Sequence, residues 1–106
     1  MTTIGYGFAA TMTALPGKGD EVVEVLLSGL EPGNPASTEF CLLYLVSRSA
    51  SNPDVIFIQE GWSSEDDHQR IFSGPAAQAI VARFDGLLAG DSVYTDPVVI
   101  GGKALI

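Results

Sequence analysis

Apolar positions along the chain follow two periods, two and about three and a half, and the switches between them predict the elements. From Gly5 to Leu15 small and large residues alternate, with Gly5, Gly7 and Ala9 on one side and Tyr6, Phe8 and Met12 on the other. A period of two predicts a strand. Glycine weakens a strand unless something must come close, so the small side is expected to lie under a packed helix or to leave floor space for a ligand. Pro16-Gly17-Lys18-Gly19 breaks this strand. Asp20 and Glu21 then open a helix, with acids near its positive end. Val22, Val23, Leu26, Leu27 and Leu30 recur at helical spacing as one stripe, and Pro32-Gly33-Asn34-Pro35 ends the helix.

Glu39 to Ser47 is expected to form a second strand, apolar on both alternating faces. A sheet covered on one face should alternate apolar with polar, so this strand asks for cover on both sides. Helices can supply one layer; a second copy of the chain would supply the other. A polar turn, Arg48 to Asp54, leads to a third strand, Val55 to Trp62, and the short link suggests an antiparallel hairpin. Ser63 or Ser64 then caps a helix, since both have an acid three residues on. Glu65, Asp66 and Asp67 fall in its first turn, where they offset the backbone dipole. Capping accounts for this acidic cluster, whose spacing matches no metal-ligand pattern. After Ser73-Gly74-Pro75, a further helix carries Ala77, Ile80, Val81, Phe84, Leu87 and Leu88 on one stripe, with Gly86 inside it. Ser92 to Ile100 is the last strand, in which Pro97 demands an edge, a bulge or a break. The order is strand, helix, strand, strand, helix pair, strand, the pattern of an α+β, ferredoxin-like βαββαβ sheet with helices on one face.

Composition narrows the function classes. The 106 residues suit one domain, 1–106, and 46% are hydrophobic, a high share for a chain with so much surface, which again favours a partner subunit. The net charge is -8 with five Lys and Arg, so phosphate backbones and anionic lipid heads would be repelled; neither nucleic acid nor a membrane surface is an expected partner. Cys41 is the sole cysteine, which forbids an internal disulfide and fits a reducing cytoplasm. Met1 to Gly7 lacks the pattern of a signal peptide, and no apolar run approaches the roughly 20 residues that span a bilayer. Nothing supports nucleophilic catalysis: Cys41 has no neighbour that would lower its pKa, and the early glycines do not form a phosphate-binding fingerprint.

Several strings, in order, resemble the antibiotic biosynthesis monooxygenase (ABM) domain family of the dimeric α/β barrel superfamily. They are Leu15-Pro16-Gly17-Lys18, Glu31-Pro32-Gly33, Leu43-Tyr44, Gln59-Glu60-Gly61-Trp62-Ser63-Ser64-Glu65 and Ser73-Gly74-Pro75. The resemblance implies a homodimer whose sheets meet as a barrel. It also implies a monooxygenase that needs neither metal nor organic cofactor and acts on a small apolar phenol, quinol or anthrone-type molecule. In such chemistry the substrate is the reductant, and the protein binds a flat ring, helps remove a proton and stabilises charge. A cofactor-free isomerase and a non-catalytic binding dimer are the rivals on the same fold. Haem-degrading relatives need an Asn near the first strand and a His in the last helix, and Gly5 to Phe8 and Ala79 to Phe84 supply neither.

The candidate catalytic set is Trp62, His68 and Arg83. Trp62 matches the family's tryptophan at the end of the third strand: a core anchor, or a pocket wall whose N–H meets a substrate carbonyl. His68, the sole histidine, is a proton acceptor or relay if it faces a pocket and a surface residue otherwise. Relatives often place a histidine where this chain has Ile71, and an amide where it has Ile58. Arg83 would balance an oxyanion, with Arg70 as the fallback. Tyr44, Gln59 and Phe72 form the candidate substrate-binding set. Glu60 is a further candidate base; it alternates with Trp62, and the pattern does not say which face of the sheet meets a ligand.

Overall fold

The computed structural model describes residues 3–106; the signal-peptide reading of Met1 to Gly7 rests in part on Met1 and Thr2, which lie outside the described residues. The elements are β1 (Tyr6–Thr13), α1 (Gly19–Ser28), β2 (Cys41–Arg48), β3 (Val55–Trp62), α2 (Glu65–Phe72), α3 (Pro75–Arg83) and β4 (Val93–Thr95), with a 3-10 turn at Pro35–Ser37. Strands pair antiparallel in the order β2-β3-β1-β4. This is the expected ferredoxin-like sheet.

Register decides the faces. Trp62 pairs with Tyr6, Glu60 with Phe8, Ile58 with Ala10 and Ile56 with Met12. On the other flank Glu60 pairs with Tyr44 and Ile58 with Val46, after an irregularity between Cys41 and Leu43 that places one extra residue, Leu42, in β2. Paired residues share a face, so Tyr44, Glu60 and Phe8 form one row across three strands. This face meets α1: Ala10, Met12, Ile56 and Ile58 are buried together with Val22 and Leu26. Ile56 and Val22 are wholly enclosed, each worth about 1.5–3 kcal/mol relative to exposure. Leu43, Leu45, Phe57, Gln59 and Val93 point the other way, and Phe57 and Val93 remain 40% and 66% exposed.

Three expectations change. The second long stripe is not one helix: α3 stops at Arg83, and Gly86 adopts φ 77°, a left-handed turn that glycine makes without strain. Phe84, Leu87 and Leu88 still pack on the core, but from that turn, where the Leu87 carbonyl accepts from Leu15 N at 2.8 Å. The last strand shrinks to Val93–Thr95, ahead of Pro97, which has no N–H to donate. The close neighbour of Gly7 on the glycine face is not a helix: a Cβ there would collide with the Pro97 carbonyl oxygen, so the C-terminal segment crosses at this point.

Candidate functional site

Between the inner face of the sheet and the helices lies a cavity of about 490 Å³, within the range of small-molecule pockets. Its floor is Tyr6, Phe8, Met12, Tyr44, Ile58, Glu60 and Trp62; α2 contributes His68 and Phe72, and α3 contributes Ala77, Ile80 and Val81. Tyr94 of β4 and Leu26 of α1 close further sides. The lining is largely apolar, with a few polar groups among it.

Glu60 is the one carboxylic acid among the described residues of the lining. Its row neighbours Tyr44 and Phe8 keep water from it, and burial raises its carboxyl from 4.5 to about 7. Trp62 opposes this by donating its indole Nε1–H to Glu60 Oε1 at 2.8 Å. The indole is 2% exposed and its one donor is spent on Glu60, so it is not free to meet a substrate carbonyl. With Oε1 held, Oε2 is the oxygen left for a ligand.

His68 faces inward, not to solvent. Its position follows from the α2 cap: Ser64 Oγ accepts from Asp67 N at 3.1 Å, and Ser63 Oγ donates to the Asp67 carboxylate at 2.6 Å. This start sets the helix phase, with Glu65 and Asp66 exposed and His68 half-buried one turn later. The imidazole centroid lies 5.1 Å from that of Trp62, 5.2 Å from Tyr6, 5.4 Å from Phe8 and 5.6 Å from Phe72. Burial holds its pKa below the usual value, against an opposing pull from Glu65. Its Nδ1 is buried without a hydrogen-bond partner among the described residues, an arrangement that costs free energy unless something binds there.

The other sequence candidates divide. Tyr44 and Phe72 line the cavity. Tyr44 is a wall, since its hydroxyl donates to the Leu26 carbonyl at 2.7 Å and burial pushes its pKa up. Gln59 lies on the opposite face, beside Leu45, Phe57 and Thr95, because strand alternation sends 58, 60 and 62 inward and 59 outward. Arg83 does not line the cavity either: it is exposed in the last turn of α3, and its Nη1 donates to Ser28 Oγ at 3.1 Å. The fallback Arg70 pairs with Asp67 and covers the Phe40 ring. Tyr6, Phe8 and Tyr94 were absent from the candidate set; the signal for the first two was the large-residue side of β1. Among the described residues no group of three or more His, Cys, Asp or Glu is placed to hold a metal ion. Burial pushes the Cys41 thiol up to about 11, away from reactivity.

The sequence pattern of the antibiotic biosynthesis monooxygenase family matches residues 6–83. The chain belongs to the antibiotic biosynthesis monooxygenase family. The ABM matched segment includes every strand and helix described above except β4. Among solved structures, a provisionally named antibiotic biosynthesis monooxygenase from Chloroflexus aurantiacus is 32% identical, with TM-score 0.78 over 93% of this chain and 96% of that one. A provisionally named family member from Deinococcus radiodurans is 19% identical (TM-score 0.73, 95% and 98% covered), and a Pseudomonas aeruginosa protein 16% identical (TM-score 0.77, 95% and 99% covered). These last two show the shared ABM fold. No curated protein matches the chain.

Proposed function

We propose that this ABM protein oxidises a small aromatic phenol, quinol or anthrone-type molecule with dioxygen, without metal or organic cofactor, and that Glu60 is the base. The observation that carries the reading is a carboxyl raised to about 7, held by an indole N–H, in an aromatic-lined cavity. A base of that pKa is half ionised at neutral pH, where general-base catalysis is most effective. The ring of the substrate lies among Phe8, Trp62 and Phe72, and its acidic O–H or C–H meets Glu60 Oε2. Removal of the proton leaves an electron-rich anion. That anion reduces dioxygen and forms a C–O bond; the peroxide then loses water. Overall the methylene carbon of an anthrone, or the C–H para to the hydroxyl of a phenol, becomes a carbonyl, one oxygen atom enters the product and the other leaves as water. A quinol, already oxygenated at that position, gives the quinone, while dioxygen takes both electrons and both protons and leaves as hydrogen peroxide. His68, uncharged at neutral pH, offers Nδ1 to the developing oxyanion or peroxide, and Trp62 positions Glu60. Neither Arg83 nor Gln59 enters this scheme.

Oxygen consumption by chelator-treated protein with a quinol and anthrone panel tests it. Uptake with stoichiometric quinone is expected, and absence of uptake across the panel overturns it. A second reading has its own support: an apolar pocket with one carboxyl poised near neutral pH can shuttle a proton without oxygen, as an isomerase does. Product formed equally under argon selects it.

The proposal includes a cytoplasmic homodimer of one-domain chains. Its support is the outer face of the sheet, where Phe57 and Val93 are exposed and Leu43 and Leu45 are only half-buried within the chain. No helix of the described residues is long and apolar enough to cross a membrane. Light scattering at micromolar concentration should give twice the chain mass.

A further inference from the structure

The cavity has a one-sided electrostatic composition. Glu60 is the sole acid in its lining, and neither Lys nor Arg lines it. Two arginines on the helices that cover the sheet are committed elsewhere, Arg83 to Ser28 and Arg70 to Asp67 and the Phe40 ring. Burial is the main cause that raises the Tyr6 and Tyr44 phenols; Glu65 and then Glu60 add to it at Tyr6, and Glu60 adds to it at Tyr44, so the charges felt inside are carboxylates. The chain as a whole carries -8. An anionic group carried into this space finds no Lys or Arg, only the uncharged imidazole of His68, and it faces Glu60. Losing hydration with so little compensation is costly, and placing like charges together adds to that cost.

We propose that Glu60 is a specificity-determining residue: it makes the cavity admit uncharged aromatic molecules and exclude aromatic carboxylates of the same size and shape. This rests on the reading of the cavity as the substrate site, but not on oxygen chemistry. It reaches further than that reading, because a phenol-binding pocket could as easily have carried an arginine for acidic aromatics. It also gives Glu60 a role at binding, before any proton moves.

The test compares 1-naphthol with 1-naphthoate by isothermal titration calorimetry at pH 8. The indole N–H resonance of Trp62, the one tryptophan in the chain, reports whether the ligand occupies this cavity. Naphthoate is expected to bind about tenfold or more weakly than naphthol. Glu60→Gln, which keeps the shape and an acceptor for Trp62, should shrink that ratio at least about threefold by recovering naphthoate affinity. Equal binding of both ligands to the native protein overturns the proposal, as does an unchanged ratio in Glu60→Gln or no binding of either up to millimolar concentration. Should Glu60→Gln fail to fold, Phe72→Arg at the exposed rim supplies a counter-charge and should raise naphthoate affinity; no rise overturns the proposal. Charge selection without oxygen uptake leaves this inference standing and removes the oxygenase reading, whereas oxygen uptake without charge selection does the reverse.

Discussion

The two faces of one strand show what this fold does with side chains. Along β3, Ile56, Ile58, Glu60 and Trp62 look toward the helices, and Val55, Phe57, Gln59 and Gly61 look away. Both sets mix large apolar residues with one polar group near the end. The polar groups are neighbours in sequence, yet their fates differ. Glu60 is dried by Tyr44 and Phe8, held by Trp62 and raised to about 7. Gln59 lies beside Phe57 and Thr95 on a face that no helix covers. The chemistry of the candidate site belongs to the cover, and hardly at all to the strand.

Substitutions on the two faces should therefore separate sharply. The largest contrast is in turnover: Glu60→Gln should lower oxygen-dependent product formation by about 100-fold or more, the usual scale for a lost general base, and Gln59→Ala should leave it within about twofold. Steady-state kinetics on one accepted substrate checks both, and equal losses would erase the distinction between the faces. Next comes packing. Ile56→Ala, in the enclosed core, should cost about 2–5 kcal/mol in denaturant unfolding. Phe57→Ala should cost about 1 kcal/mol or less within one chain, but should weaken the dimer in a concentration series if a second copy covers that face.

A third contrast is in pH. Burial raises the folded-state pKa of Glu60 from 4.5 to about 7, so between these values the folded chain keeps a proton that the unfolded chain has lost. Stability is therefore greatest below this window and falls as pH rises through it, by about 3 kcal/mol from this group. Chemical denaturation from pH 4.5 to 8 should show the fall, and Glu60→Gln should remove that component. The smallest effect concerns His68. Its Nδ1 has no partner to lose, so His68→Leu should leave the melting temperature unchanged or raise stability by up to about 1 kcal/mol, while ligand affinity drops. A marked loss of stability would show that the imidazole is there for the fold.

Much of the architecture was legible because its signals are local. The bounds of β3 match the expected Val55–Trp62, an apolar run between the Asn52-Pro53-Asp54 turn and the Ser63-Ser64 cap. The Ser64 cap and the structural use of the first-turn acids are local as well, each spanning one helical turn. The misread stripe from Ala77 to Leu88 shows where locality fails. A helix and a helix followed by a turn can present the same apolar spacing, and the left-handed Gly86 goes with the docking of Leu87 and Leu88 beside Leu15 and Ala14, just past the end of β1.

Strand and helix order and the ferredoxin-like pattern were readable from the chain, since periodicity and capping act over a few residues; the family, and with it Trp62 and His68 as candidates, came from the resemblance of short strings in order. Three things waited for the tertiary structure: which face of β3 is covered, that His68 points inward, and that Arg83 points to Ser28. The reason is desolvation. Alternation states that Glu60 and Gln59 differ in direction, but the shift in the pKa of Glu60 depends on how much water is removed by Tyr44, Phe8 and Trp62, brought together from three strands.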